Sequence, residues 1–254
     1  MTLRIHRHAS EAGTTRSDVA ERHAAEHGCG ACVVRHLAVC TALPADRAQA
    51  LEQMSGDVEL EPGQLLAREG EARKYVFTVT AGALRRTRTL ADGRRLVAGF
   101  LMPGDYIGFS GAPRYRHTIE AIVGSTLCAV SREDMRALCE AHPGLEHELM
   151  ERACVELDAT RDKLMSLARM TPPERLAGFL LDMAGRRRRQ GLDDAVLQLP
   201  MTRTDIADYL GLTIETVSRC FTRLRGEGLI ATPEPHTVQL LDRKRLDALA
   251  EASG

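Results

Sequence analysis

The hydrophobic and polar positions change their spacing once along the chain, near Ser131. Between Asp57 and Val130, short apolar runs are separated by glycines that mostly lie 7 to 13 residues apart. Short strands with turns at this spacing are typical of an all-β barrel or sandwich. The pair Asp92-Gly93 favours a tight hairpin between two of these strands. We therefore predict a β-roll over this part of the chain.

From Ser131 onward, apolar residues follow three- and four-residue steps, which predict helices. Ser131 can cap the first helix, and a second helix of about 25 residues follows Pro143-Gly144. Its narrow apolar stripe among charges is typical of a helix that pairs with another helix, although packing within one domain gives a similar period. Its length and position favour dimerisation. The predicted stripe contains Leu145, Leu149, Ala153, Leu157, Thr160, Leu164 and Leu167.

Residues 202–230 predict two short helices joined by a tight turn. Ala207 is small enough for the helices to approach, Gly211 allows the turn, and Val217 fills the crossing. Thr213 can cap the second helix, and residues 229–241 then predict a two-stranded wing.

A helix-turn-helix of this kind places its second helix in the DNA major groove. Arg219 can form a bidentate pair with guanine, and Glu215 can accept from the N4 amine of cytosine. Ser218 lies on the same predicted face, Arg223 is placed to bind phosphate, and Thr213 stands at the start of the helix. An ordinary surface helix with solvated charges is the alternative, but the coincidence of turn, cap, small residue and polar face favours DNA binding.

Composition and charge add little to this reading. The chain has 254 residues, of which 44% are hydrophobic and 27% charged, as is usual for a globular protein. Basic and acidic residues nearly balance in residues 169–254, so a strongly basic DNA footprint is missing. The N-terminal sequence lacks the apolar run of a signal peptide, and no stretch approaches the roughly 20 apolar residues of a membrane span. We expect a cytoplasmic protein without a membrane partner.

Three of the seven cysteines, Cys29, Cys32 and Cys40, lie within 12 residues of one another. In a reducing compartment, clustered cysteines more often bind metal or do redox chemistry than form disulfides. Zinc on these three with His36 or Cys128 is one alternative, and unligated structural cysteines are another. The remaining cysteines lie on helical patterns, where small buried side chains are expected. These are Cys139, Cys154 and Cys220.

The order of cysteine segment, β-roll, long helix and winged helix-turn-helix resembles the CRP/FNR family of bacterial transcription regulators. The similarity covers roughly Cys29 to Leu249, and MTRTDIADYLGLTIETVSR, TPPERLAGFLLDMA and FLMPGDYIGF are similar to segments of the FNR branch. The resemblance implies an α+β fold. It implies a flexible arm (1–28), a sensor domain (29–130), a dimerisation helix region (131–168) and a DNA-binding domain (169–254).

The FNR branch binds an oxygen-labile [4Fe–4S] cluster through four cysteines. The resemblance assigns the ligands to Cys29, Cys32 and Cys40, spaced C-x2-C-x7-C, and to Cys128. The x7 spacing is longer than the x5 of the best-known members and resembles a second subgroup. Thiolates suit this role because they are soft donors to iron–sulfur centres.

The resemblance also implies partners. In the FNR branch the counterparts of Glu215, Ser218 and Arg219 read a TTGAT half-site. We therefore expect a homodimer that binds an inverted repeat like TTGAT-N4-ATCAA when the cluster is intact and becomes a monomer in air. RNA polymerase is the expected protein partner of such a regulator.

Cyclic nucleotides and catalysis are not expected. Cyclic-AMP binders of the family carry a Gly-Glu pair, but this chain reads Gly108-Phe109, and Arg114 and Arg116 lie out of pattern. A hydrolase would need a polar base in a cleft, and no residues with supporting spacing suggest one. We predict that the protein is not an enzyme.

Overall fold

The computed structural model describes residues 5–7, 29, 32–44 and 51–251. These residues divide into two compact units. The first unit holds the chain up to Arg86 together with Phe100–Val155, and the second unit holds Thr87–Gly99 and the chain from Glu156 onward.

The first unit contains a β-roll, as the glycine spacing predicts. Its strands are β1 His6–Arg7, β2 Ser55–Leu60, β3 Leu65–Ala67, β4 Tyr75–Ala81, β5 Leu84–Thr89, β6 Arg95–Leu101, β7 Tyr106–Ile107, β8 Thr118–Ala121 and β9 Ser125–Ser131. One sheet has the order β1-β2-β9-β4-β7, and the other has the order β3-β8-β5-β6. The tips of β5 and β6 belong to the second unit.

Alternation along the strands builds two separate cores. Phe77 and Ala129 point into a core shared by both sheets. Their neighbours Val76 and Val130 point to the opposite face, because successive side chains of a strand alternate. A second core on that face joins the sheet to the cysteine segment and to the helices after residue 131. Cys128 lies on the same face of β9 as Val130, two residues away, so its side chain points toward the cysteine segment.

Strand β1 departs from the predicted loose arm. His6 pairs with Asp57 and Arg7 with Gly56 in an antiparallel ladder. This pairing uses backbone groups and needs no apolar period, so the hydrophobic pattern did not reveal it. The remainder of the predicted arm lies outside the described residues.

Two helices follow the β-roll. They are α1 Arg132–Ala141 and α2 Pro143–Arg169. The predicted cap of α1 is confirmed, because the Asp134 amide donates to Ser131 Oγ over 2.9 Å. Helix α2 is 27 residues long, as the stripe predicts, and only its first turns are buried, at Leu145.

The second unit contains the predicted winged helix-turn-helix. Its elements are α3 Pro172–Arg189, β10 Val196–Gln198, α4 Arg203–Leu210, α5 Ile214–Gly226, β11 Ile230–Glu234, β12 Thr237–Leu240 and α6 Arg243–Glu251. Strand β10 joins the two expected wing strands in the order β10-β12-β11. None of the helices in the described part of the chain is long and apolar enough to cross a membrane.

Candidate cysteine site and nucleic-acid interface

The four cysteines singled out from the sequence line one cavity in the first unit. Two short 3-10 turns, Arg35–Leu37 and Val39–Ala42, curl the chain between Cys32 and Cys40. Cys128 comes from the middle of β9, where it pairs with Thr78 of β4 and Asp57 of β2. The rest of the lining is mainly apolar: Ala38, Val39, Leu43, Leu51, Thr78, Thr80, Val130, Met135 and Leu145.

The cavity affects the ionisation of Cys29, Cys40 and Cys128. Burial, followed by the nearby Cys40, Glu52 and Cys32, raises the pKa of Cys29 to about 12. Burial also raises the pKa of Cys128 to about 12, with a further contribution from Cys29. The thiols therefore influence one another electrostatically across the cavity that they line.

Two arginines oppose this effect and hold the cysteine segment in place. Arg35 donates to the carbonyl oxygens of Cys29 at 3.4 Å and Leu43 at 3.2 Å. Arg152, from α2, donates to the carbonyl oxygen of Leu37. Burial raises the pKa of Cys40, while the positive charges of Arg35 and Arg152 lower it. The cavity therefore has positive charge beside it, contributed by two separate elements.

The alternative ligand His36 is exposed and does not line the cavity. Within residues 5–7, 29, 32–44 and 51–251, no three His, Cys, Asp or Glu side chains are grouped as one metal ion would require. Cys220 is buried, as predicted, and Cys139 is half-buried. The prediction for Cys154 is wrong, because this residue is exposed. It lies beyond the first turns of α2, where the helix no longer packs on the core.

The helix-turn-helix geometry follows the local sequence closely. Gly211 ends α4 with φ of +65°, a left-handed conformation that favours glycine. Thr213 caps α5, since its hydroxyl accepts from the Thr216 amide at 3.2 Å. Ala207 and Val217 are buried, and α4 and α5 contact each other. These four predicted roles are confirmed.

The predicted base-reading residues Glu215, Ser218 and Arg219 are all exposed. A backbone hydrogen bond, the Thr213 hydroxyl and the charge of Arg219 hold the pKa of Glu215 below its usual value. Glu215 therefore remains a carboxylate and a pure acceptor at neutral pH. The Arg219 guanidinium lies 3.4 Å from Thr216 Oγ1, which leaves most of its donors available.

The arginines around these residues have internal partners. Arg223 forms an ion pair with Glu227 at 2.7 Å. Arg203, which the sequence analysis did not single out, places its guanidinium 3.3 Å from the centre of the Phe221 ring. Its position at the first residue of α4 could have identified it, because the first helix of the motif crosses the DNA backbone.

The predicted dimer stripe divides into two parts. Leu145 is buried and Leu149 packs against the second core, so neither is free to meet another helix. Farther along α2, Leu157 is 50% exposed and Leu164 is 67% exposed. Met150 is 61% exposed and lies seven residues before Leu157, so it extends the same face. Met150 is not among the residues of the predicted stripe. Ala153 and Thr160 occupy the same face between these residues.

A second cavity of about 150 Å³ lies beside the turn at Gly108-Phe109, where cyclic-AMP binders carry the Gly-Glu pair. Arg73, Arg116 and His117 contribute to its walls. Arg73 is already engaged, since it donates to the carbonyl oxygens of Gly108 at 2.8 Å and Ala112 at 2.9 Å. The expectation that no cyclic nucleotide binds remains a prediction.

Comparisons with known proteins place these features in a family. Residues 174–249 match the profile of the Crp-like helix-turn-helix domain, and residues 57–142 match that of the cyclic nucleotide-binding domain. The chain is 38% identical over 230 residues to the nitrogen fixation regulation protein FixK of Bradyrhizobium diazoefficiens, covering 89% of this chain and 95% of FixK. It is 33% identical over 224 residues to the transcriptional activator protein FnrL of Cereibacter sphaeroides, covering 87% and 90%.

The fold agrees with these similarities. The structure of FixK2 from Bradyrhizobium japonicum superimposes with a TM-score of 0.73 at 32% identity, covering 79% of this chain and 99% of FixK2. The relatives are transcription regulators and not enzymes. With its β-roll, long helix and exposed recognition helix, the chain belongs to the CRP/FNR family of DNA-binding transcription regulators.

Proposed function

We propose that the protein is an oxygen- or redox-responsive regulator that holds a [4Fe–4S] cluster on Cys29, Cys32, Cys40 and Cys128. In this proposal the loaded chain dimerises and binds inverted repeats that resemble TTGAT-N4-ATCAA. The observation that carries the proposal is the convergence of these four cysteines on one cavity.

The donor set and its surroundings fit the cluster. Four cysteine thiolates are its usual ligands, and an apolar lining keeps water away from them. When bound, the cluster supplies an oxygen-sensitive redox centre. Ligation would require thiolates, and burial raises the pKa of Cys29, Cys40 and Cys128, while the charges of Arg35 and Arg152 favour the thiolate form of Cys40. Cys128 is fixed by the sheet, whereas the other three lie on a short irregular segment.

The same segment is connected to the long helix. Arg152 of α2 donates to Leu37, which lies between Cys32 and Cys40 in the chain. Leu145, in the first turn of α2, lines the cavity itself. A change in the conformation of the cysteine segment would therefore alter the contacts of Leu145 and Arg152 in the first half of α2. This supports a role for the cysteine site in regulation.

The occupant proposed for the exposed face of α2 is a second copy of the chain. Leu157 and Leu164 are at least half exposed, and large apolar side chains in one stripe are unfavourable in water. Two copies related by a twofold axis would bury both stripes against each other. A dimer would present two α5 helices to the two halves of an inverted repeat.

For DNA recognition we assign base reading to Glu215, Ser218 and Arg219, with Arg223 on phosphate and Thr213 at the helix start. All five lie on the exposed side of α5 or at its cap. The relative FnrL is named a transcriptional activator protein. That name supports the proposal that RNA polymerase is the protein partner at the promoter.

The decisive experiment is purification without oxygen, followed by iron and sulfide assays and visible spectroscopy. We expect about four irons and four sulfides per chain, with broad absorption. Replacement of Cys29, Cys32, Cys40 or Cys128 by Ala should abolish both. The matched controls are Cys139→Ala and Cys154→Ala, which alter thiols outside the cavity lining. Stoichiometric zinc without sulfide would favour the zinc alternative, and neither metal would favour a regulator that senses another signal.

A further inference from the structure

A single arginine on the β5–β6 hairpin contacts the first helix of the helix-turn-helix. The Arg95 Nε donates to Asp208 Oδ2 at 2.9 Å, and its Nη2 donates to Asp205 Oδ1 at 2.9 Å. Both carboxylates are on α4, and all three residues belong to the second unit. The Arg95 guanidinium thus contacts two acids about one helical turn apart, with Nε on Asp208 and Nη2 near both carboxylates.

The contact is substantially buried. The Asp205 side chain is 1% exposed, Asp208 is 24% exposed and Arg95 is 34% exposed. Burial alone would lower the pKa of Arg95, but the Asp208 hydrogen bond and both carboxylate charges raise it, so the guanidinium stays charged. Charge-assisted bidentate bonds in partly buried surroundings are stronger than exposed ion pairs.

Both carboxylate oxygens of Asp205 accept hydrogen bonds. Its Oδ2 accepts from the Thr202 amide at 3.1 Å and from the Thr202 hydroxyl at 2.8 Å, which caps α4. Its Oδ1 is the atom that binds Arg95. Without Arg95, this buried carboxylate would keep the Thr202 cap but lose the ion pair at Oδ1, and weakening the charge pairing of a buried carboxylate is costly.

A lysine from the long helix makes a parallel connection. Lys163 of α2 donates to the Ala98 carbonyl of β6 at 3.3 Å, and its Nζ lies 3.4 Å from the centre of the Tyr209 ring on α4. Arg175 of α3 donates to the Leu167 carbonyl at 2.9 Å and to the Leu210 carbonyl at 3.1 Å. Helix α4 is therefore attached to the hairpin and to α2 by several polar contacts.

We infer that Arg95 and Lys163 are positioning residues for DNA recognition. They hold α4 against the hairpin and α2, and α5 follows because Ala207 and Val217 pack the two helices together. The orientation of α5 relative to the second half of α2 is then fixed by Arg95 and Lys163, which do not contact DNA bases. The β5–β6 hairpin thus affects DNA binding indirectly, through the position of α5.

The inference has a consequence for paired half-sites, and this part depends on the dimer proposed above. In a twofold dimer, a firmly held α5 is placed at a fixed distance from its counterpart. Firm holding should therefore give sharp selection of the spacer between half-sites. If α5 is mobile, the dimer should accept several spacer lengths. It should also bind the optimal spacer more weakly, because the conformational entropy of α5 is lost on binding.

The first test measures spacer selection with the full chain purified without oxygen. The probe is an inverted repeat selected by the wild-type protein from random duplexes, rebuilt with its spacer lengthened and shortened by one and two base pairs. Arg95→Gln, Asp208→Asn and the double variant are compared with Arg94→Gln as the control. Arg94 is the neighbouring residue, has a 77% exposed side chain, and pairs with Asp92 within the hairpin turn.

We expect Arg95→Gln and Asp208→Asn each to weaken binding of the best spacer about fivefold and to flatten the spacer profile, as loss of roughly 1 kcal/mol would. The double variant should be hardly weaker than Arg95→Gln alone, because that replacement already removes the contact with Asp208. Arg94→Gln should behave like the wild type. Additive losses, or a wild-type profile for Arg95→Gln, would overturn the inference.

The second test needs neither DNA nor a dimer. Hydrogen exchange of the DNA-free chain should become several-fold faster in residues 87–99 and in α4 when Arg95 is replaced by Gln, and should not change in Arg94→Gln. Unchanged exchange in both variants would overturn the inference. If the wild-type chain proved monomeric, the dimer proposal would fail in the first test, and this second test would still decide on Arg95.

Discussion

Arg152 donates a hydrogen bond to the carbonyl oxygen of Leu37, across 115 residues of sequence. The donor is on the long helix and the acceptor is in the segment between two of the four clustered cysteines. The same guanidinium forms an ion pair with Glu148 at 2.6 Å. Helix α2 is therefore connected to the cysteine segment by a side chain whose own position is fixed on the helix.

Replacement of Arg152 by Leu should separate cluster binding from dimerisation. The four cysteines remain, so iron and sulfide contents should stay close to those of the wild type. The difference in dimer fraction between oxygen-free and air-exposed protein should shrink, because the link from Leu37 to α2 is lost. Sedimentation of both forms measures this. Arg136→Leu is the control, since Arg136 is exposed on α1 and lies outside the long helix. An undiminished difference in the Arg152 variant would show that the coupling takes another route.

The exposed stripe on α2 predicts an asymmetry between two apolar substitutions. Leu157→Ala should weaken the oxygen-free dimer by about tenfold or more, because a buried leucine contributes about 1.5–3 kcal/mol. Val155→Ala is the matched control, since Val155 is 67% exposed and lies on the opposite side of the helix. Equal effects of the two substitutions on the sedimentation equilibrium would place the dimer interface elsewhere.

The recognition helix predicts different losses for two arginines. Arg219→Ala should cost about 1–3 kcal/mol of DNA binding and relax the preference at one guanine. Arg223→Ala should weaken all sequences nearly equally and reduce the salt dependence. That loss should be modest, because Arg223 pairs with Glu227 in the free protein. Binding titrations on matched and mismatched duplexes at two salt concentrations separate these outcomes. Full sequence preference in Arg219→Ala would refute the assignment.

The raised thiol pKa values predict the order of alkylation in iron-free, reduced protein. At pH 8, iodoacetamide should modify the exposed Cys154 well before Cys29 and Cys128. A pKa of about 12 leaves these two thiols almost wholly protonated, and the thiolate is the reactive form. Their rates should keep rising as the pH is raised toward 12. Mass spectrometry of tryptic peptides measures each site, and rapid modification of Cys128 at pH 8 would contradict its burial.

Local patterns predicted much of the fold. The turn at Gly211 and the caps at Ser131 and Thr213 depend on a few adjacent residues, so the sequence alone was sufficient for them. Strand β1 escaped prediction because backbone pairing leaves no side-chain period. The predicted burial of Cys154 was wrong because an apolar stripe does not indicate where along its length a helix stops packing on the core.

Long-range contacts were beyond the reach of periodicity. Cys128 was assigned to the other cysteines by family resemblance, since nothing in its local sequence indicates the approach. The local sequence around Arg95 does not predict its contact with Asp205, because 110 residues separate them. Both contacts depend on how strands and helices assemble, which spacing within a segment does not encode.

The two carboxylate oxygens of Asp205 make different contacts, Oδ1 with Arg95 and Oδ2 with the Thr202 cap, and this limits which residues can replace Asp205. An asparagine could keep the cap acceptor but would lose the charge that Arg95 binds. A glutamate would carry its carboxylate one methylene farther from both partners. Any lineage that replaces this residue must therefore change the hairpin as well, so positions 95 and 205 are expected to vary together among relatives of this chain.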